Sequence, residues 1–134
     1  MKLSTLLLGA AVIGLLSTSV TLADDYLGGV VKSATVGGKE ILTDAKGMTL
    51  YVWDKDEKGK ASHCNDQCAV NWPPLLVDAS TAVSGDWSLI KRDDGKMVVA
   101  YKGWPLYTWI KDKAPGDTTG DGVGGTWHTA VEGM

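Results

Sequence analysis

Apolar residues in this chain recur in short runs with a period of two, broken by Gly- and Asp-rich stretches. That is the pattern of half-buried strands joined by tight turns. Val30 to Val36 is β-prone and bounded by Gly28-Gly29 and Gly37-Gly38. Ile41 to Thr43 and Thr49 to Asp54 are predicted strands joined by Ala45-Lys46-Gly47, where Gly47 can take the positive φ of such a turn. Met97 to Tyr101 and Leu106 to Ile110 repeat this arrangement around Lys102-Gly103. Trp87 to Lys91 forms a further hairpin with the segment from Lys96 onward, across Asp93-Asp94-Gly95. Thr126 to Val131 reads as a closing strand. One segment predicts a helix: Ser62 or Asn65 caps a short turn from Gln67 to Asn71, stopped at Pro73-Pro74.

Two of these hairpins are copies. Residues 40–56 (EILTDAKGMTLYVWDKD) and 96–112 (KMVVAYKGWPLYTWIKD) align without a gap at an offset of 56, with seven identities: Lys46/Lys102, Gly47/Gly103, Leu50/Leu106, Tyr51/Tyr107, Trp53/Trp109, Lys55/Lys111 and Asp56/Asp112. A unit this small buries its apolar face only against a sibling. The predicted fold class is therefore all-β: a small single domain of two duplicated β-hairpin units with pseudo-twofold symmetry, and one short helical turn near Cys64 and Cys68.

Strand period sorts the repeated motif. Tyr51 and Trp53 share one face, Leu50 and Val52 the other; Tyr107 and Trp109 likewise oppose Leu106, Thr108 and Ile110. Asp56 and Asp112 follow three residues after each Trp, where a carboxylate can accept backbone N–H bonds in a turn. Two readings stand. The Tyr and Trp side chains pack between the hairpins, or they form a paired aromatic surface that stacks on a ligand.

Composition adds a compartment. The N-terminal Lys2, the apolar run Leu6 to Leu16 and Thr21-Leu22-Ala23 read as a signal peptide, residues 1–23, cleaved before Asp24. The run is shorter than the ~20 residues of a membrane span, so no span is expected after cleavage, and residues 24–134 form the mature β domain. The formal net charge of −3 argues against nucleic acid as a partner. Six Trp and four Tyr with no Phe suit either a core or a sugar-binding surface.

Tyr51-Val52-Trp53-Asp54-Lys55-Asp56 and Tyr107-Thr108-Trp109-Ile110-Lys111-Asp112 both fit Tyr-x-(Phe/Trp/Tyr)-x-x-Asp. Around them lie Gly47-Met48-Thr49-Leu50-Tyr51, Cys64-Asn65-Asp66-Gln67-Cys68, Trp72-Pro73-Pro74, Gly103-Trp104-Pro105-Leu106-Tyr107 and Gly125-Thr126-Trp127-His128. Together these resemble the bacterial secreted-repeat family, predicted lipoproteins that carry this motif. The resemblance implies an envelope location and a duplicated β domain, and it brings no biochemical activity with it. The chain departs from the lipoprotein label, having no cysteine near the cleavage site to acylate.

Cys64 and Cys68 are the only cysteines. In an oxidising compartment a disulfide is the default, at a spacing that turns and helices can bridge. Alternatively, two thiolates with His63 or His128 would suit copper in its soft monovalent form. Asp117 to Gly122 partly matches a calcium loop, but its twelfth position is His128 instead of Glu. No nucleophile motif, carboxylate pair or phosphate-cradling loop is present, so a non-enzymatic role is expected. The main expectation is a periplasmic or secreted domain that binds an envelope ligand or protein partner through Tyr51, Trp53, Asp56, Tyr107, Trp109 and Asp112. The alternatives are a copper-binding or thiol-redox protein using Cys64, Cys68, His63 and His128, and carbohydrate binding through exposed Trp.

Overall fold

A computed structural model describes residues 21–134. The leader read at residues 1–23 lies outside the described residues, apart from its last three, which begin a strand. The elements are β1 (Thr21–Tyr26), β2 (Val31–Val36), β3 (Lys39–Asp44), β4 (Tyr51–Trp53), α1 (Gln67–Asn71), β5 (Leu76–Val77), β6 (Trp87–Lys91), β7 (Met97–Tyr101), β8 (Trp104–Pro105) and β9 (Trp127–Thr129). All strand pairs are antiparallel. One sheet runs β1-β2-β3, a second pairs β4 with β9, and a third runs β5-β7-β6 with β8 also on β7. The all-β duplicated fold is as the sequence predicts.

The two units match in their hydrogen bonds, with a one-residue correction to the ungapped alignment. Leu50 N–H donates to the Leu42 carbonyl at 2.9 Å, and Leu106 N–H to the Val99 carbonyl at 3.0 Å. Leu42 is thus the partner of Val99, not of Val98. The turns account for the shift. Lys102 and Gly103, both at positive φ, make a two-residue turn between Tyr101 and Trp104, as a tight hairpin requires. In the first unit the turn is one residue longer. Gly47 N–H donates to the Asp44 carbonyl, and the Asp44 side chain accepts from the N–H groups of Lys46 and Met48.

The closing strands are exchanged between units. In the first half, Leu42 N–H donates to the Ala130 carbonyl, Ala130 N–H to Leu50, and Leu50 N–H back to Leu42. In the second half, Val99 donates to Leu75, Leu75 to Leu106, and Leu106 back to Val99. Each ring of three bonds therefore takes its third member from the other repeat: Ala130 closes the first hairpin and Leu75 the second. At the pseudo-axis Tyr51 and Tyr107 exchange both backbone bonds, at 2.7 and 3.0 Å. The core follows the strand period. Leu42, Leu50, Val52, Val99 and Leu106 fill one buried cluster, while Tyr51, Tyr107, Trp72, Trp127 and Cys64 fill another. Burying these apolar faces is the main favourable contribution to stability.

The helical turn forms where predicted, but neither predicted cap acts there. Asp66 precedes it at a φ of 52° and makes no side-chain capping bond. Ser62 and Asn65 turn instead toward Arg92. Among the described residues, no helix is long and apolar enough to cross a membrane.

Strand exchange makes a prediction. A protease site inserted at the exposed Ala79–Ser80 and then cut should leave two fragments that co-elute on size exclusion without denaturant. Separation of the halves under native conditions would contradict the exchanged topology.

Candidate functional site

The motif tyrosines and aspartates meet across the repeats. The Tyr51 hydroxyl donates to Asp112 Oδ2 at 2.6 Å, and the Tyr107 hydroxyl to Asp56 Oδ2 at 2.7 Å. All four residues are buried. The second carboxylate oxygen of each Asp holds the following loop. Asp56 Oδ1 accepts the His63 N–H at 2.7 Å, and Asp112 Oδ1 accepts both the N–H and the hydroxyl of Thr119. His63 and Thr119 are again 56 positions apart. Each aspartate thus turns the chain after its motif, Asp56 at the end of β4 and Asp112 at the matching point of the second repeat, through an N–H bond to the motif Trp carbonyl at 3.1 Å, and anchors the other repeat's tyrosine. The turn role was legible in the sequence; the cross-repeat partner was not.

Beside these pairs four indoles stack in one row, ordered Trp53, Trp127, Trp72, Trp109. Successive ring centroids lie 5.2, 3.7 and 3.9 Å apart, and the central pair is parallel within 1°. The row alternates between repeats. The inner indoles are buried and the outer two half-buried. Tyr51 meets Trp72 edge-on at 5.4 Å and Tyr107 meets Trp127 at 5.3 Å, the arrangement favoured by aromatic quadrupoles. Trp72 and Trp127 are equivalents that the motif analysis left unpaired. Their offset of 55 hides them from a gapless alignment, because the segment before Trp127 is one residue shorter.

The repeats diverge where position 64 faces position 120. Cys64 is buried and bonded to Cys68, and no described cysteine is free. Its counterpart is Gly120, where a Cβ would approach Trp72 and Tyr51 to 2.9 Å, so only glycine fits against the rings. Gly120 N–H reaches the Tyr51 hydroxyl at 3.2 Å. On the other side the Ser62 hydroxyl contacts Tyr107 at 2.6 Å and accepts from Arg92 Nη1 at 2.7 Å. Arg92 is buried, and its second terminal nitrogen, Nη2, donates to the Cys64 carbonyl and to Asn65. Between Lys91 and Asp93 it reads in sequence as one more surface charge, and nothing there signals burial.

The candidate metal ligands are not assembled. The cysteine sulfurs are joined. His63 Nε2 pairs with Glu57 at 2.7 Å and His128 Nε2 with Asp54 at 2.9 Å, both at the surface. In the calcium-like loop Asp117 accepts from Lys113 and Ala114, and Asp121 from Thr129. No group of three or more His, Cys, Asp or Glu side chains among the described residues is arranged to hold a metal ion.

Burial dominates the electrostatics. It pushes both motif phenols far above the usual tyrosine range, aided by their carboxylate partners. It also raises Asp56 above the ordinary aspartate value of 3.8, outweighing the His63 N–H and the Tyr107 hydroxyl that favour its charged form. On the surface the His63 bond lowers Glu57. Such a phenol–carboxylate pair holds its proton on the tyrosine throughout the physiological range.

The chain belongs to the family described as a secreted repeat of unknown function, which matches it twice, at residues 32–76 and 88–131. Each matched segment contains one copy of the duplicated hairpin, one Tyr–Trp–Asp motif and the closing segment lent to the other half. No curated protein and no solved structure matches the chain.

Two predictions follow from this geometry. Tyr51→Phe or Tyr107→Phe leaves a buried carboxylate short of a donor and should cost about 1.5–3 kcal/mol, whereas Trp72→Ala or Trp127→Ala should cost about 3–5 kcal/mol; urea unfolding measures both. The raised Asp56 also fixes a sign. The native state takes up that proton first, so its stabilisation is complete below pH 3.8 and is lost as pH rises through the higher native value. Urea midpoints followed against pH should show this downward contribution in the wild type and lack it in Asp56→Asn.

Proposed function

We propose that this secreted domain is a non-enzymatic binding module of the bacterial cell envelope, in the periplasm, and that it engages sugar rings at the Trp109 end of its indole row. One observation carries the reading. The half-buried Trp109 stacks on Trp72 on one side only, and two exposed apolar residues lie in the segments that meet at this end. Val70 is 59% exposed and Ile110 47%, and the Ile110 N–H bonds to the Asn71 carbonyl, bringing the two segments side by side. Lys111 Nζ lies 5.8 Å from the Trp109 centroid.

A rigid indole at an end of the molecule that also exposes aliphatic side chains is the kind of surface on which the apolar face of a pyranose can stack, with a lysine to hydrogen-bond its hydroxyls. The opposite end is chemically different. Trp53 donates to Thr126, and Asp54 pairs with His128, so the two ends of a nearly symmetric body present different surfaces.

Sedimentation with purified peptidoglycan, and NMR of the Trp109 Nε1–H with soluble chitooligosaccharides, test this reading. Binding should shift that resonance. Ile110→Asp, which leaves the row intact, should weaken binding about tenfold, a loss of about 1.4 kcal/mol. An unmoved Trp109 resonance, or unchanged binding by Ile110→Asp, would remove the reading.

A further inference from the structure

Apart from two histidines, every aromatic side chain of this chain is Trp or Tyr. Indole and phenol lose one electron to strong oxidants; the benzyl ring of phenylalanine, which resists this, is absent. Four of the indoles form a continuous row with neighbouring centroids 3.7 to 5.2 Å apart. Electron exchange between π systems falls steeply with distance, and these separations are close to van der Waals contact. Both inner indoles are buried and both outer ones reach the surface. Each inner indole also has a tyrosine edge-on to it, and each of those tyrosines donates a short hydrogen bond to a buried carboxylate. Packing alone asks for bulk at these positions. A buried phenol also asks for a hydrogen-bond acceptor, and here both acceptors are carboxylates, which can take the proton outright.

We propose that the row is a one-electron relay: oxidation of an outer indole, Trp53 or Trp109, passes inward and comes to rest as a neutral tyrosyl radical at Tyr51 or Tyr107. The oxidant is a strong one-electron acceptor, such as an inorganic radical or a high-potential metal complex. It takes an electron from Trp109 and is itself reduced by one. Trp72, 3.9 Å away, refills Trp109 and becomes the electron-deficient ring. Tyr51 then supplies an electron to Trp72 while its phenolic proton crosses the existing 2.6 Å bond to Asp112 Oδ2. One electron has moved from Tyr51 to the oxidant, and one proton from Tyr51 to Asp112. The mirror route runs from Trp53 through Trp127 to Tyr107, with Asp56 taking the proton. Because the acceptor is in place before the electron leaves, no water has to enter the core. A separate aromatic group, Tyr26 with Trp87 and Tyr101, lies in the other core cluster and serves as the internal comparison; Tyr26 also donates to a carboxylate, that of Glu132.

The test places the oxidant at one end of the row. Lys111 is exposed beside Trp109, and the native cysteines are bonded to each other. Lys111→Cys can therefore carry a thiol-reactive ruthenium polypyridyl complex, oxidised by flash-quench. Transient absorption should show an indolyl signal that decays as a tyrosyl signal grows. Trp72→Phe should cut the tyrosyl yield severalfold, as should Tyr51→Phe combined with Tyr107→Phe; Tyr26→Phe combined with Tyr101→Phe should leave it unchanged. Asp56→Asn combined with Asp112→Asn keeps the rings but removes the proton acceptors, so the indolyl signal should persist. An undiminished tyrosyl yield in Trp72→Phe, or in the Tyr51/Tyr107 pair, overturns the proposal. Should those variants fail to fold, the labelled Lys111→Cys protein with all aromatics intact still decides by mass spectrometry after prolonged illumination. Oxidation at Tyr51, Tyr107 or Trp53 supports the relay; oxidation confined to Trp109 defeats it. Glycan binding at the same end is read by different probes and stands or falls separately.

Discussion

A carboxylate buried without partners would be expelled or neutralised, because the interior solvates charge poorly. In this protein each motif aspartate is buried in the company of a tyrosine from the other repeat. That requirement positions much of the rest. The aspartate fixes the turn after its own motif through the Trp carbonyl bond and its loop through the N–H seven residues on. The tyrosine is pinned at the pseudo-axis, where it meets its own counterpart through the backbone. With both held, the motif tryptophans two residues on are directed to opposite ends of one stack, and the loops deliver Trp72 and Trp127 to its middle.

Around this symmetric centre the two halves have specialised. The first repeat closes its loop with the Cys64–Cys68 bond, backed by Arg92 from the second; the second brings glycine against the rings. A disulfide closing so small a loop constrains little of the unfolded chain. Its contribution is local: Cys64 packs in the aromatic cluster, and the Cys68 carbonyl accepts the Trp72 N–H at 2.7 Å, so the bond steadies the entry of that indole into the row.

The fold was largely legible because its signals are local. Alternation placed Leu50 and Val52 opposite Tyr51 and Trp53, and the clusters divide along that line. Gly47, Gly103 and Asp93-Asp94-Gly95 marked their turns. What stayed hidden was non-local. No pattern in residues 40–56 says that Leu42 closes on Ala130, and a gapless repeat assigns it the wrong equivalent in the other half. Ser62 and Asn65 have capping chemistry, and only the burial of Arg92 explains why they act elsewhere. The site was half legible: the motif residues were identified, whereas the pairing of each Tyr with the other repeat's Asp depends on a symmetry axis that a linear sequence does not display.

The exchanged strands also bear on timing. As the chain is made from its N-terminus, the first hairpin emerges complete yet lacks the third member of its hydrogen-bond ring, which lies in the second repeat at Ala130. The second hairpin finds its partner Leu75 already made, the first only once the second repeat has followed. Neither half can therefore mature while the other is missing, and the closing segment of the second repeat acts as the latch for the first hairpin. For such a topology, with its long-range closures, the natural unit of folding is the repeat pair, and a single repeat leaves an open sheet edge.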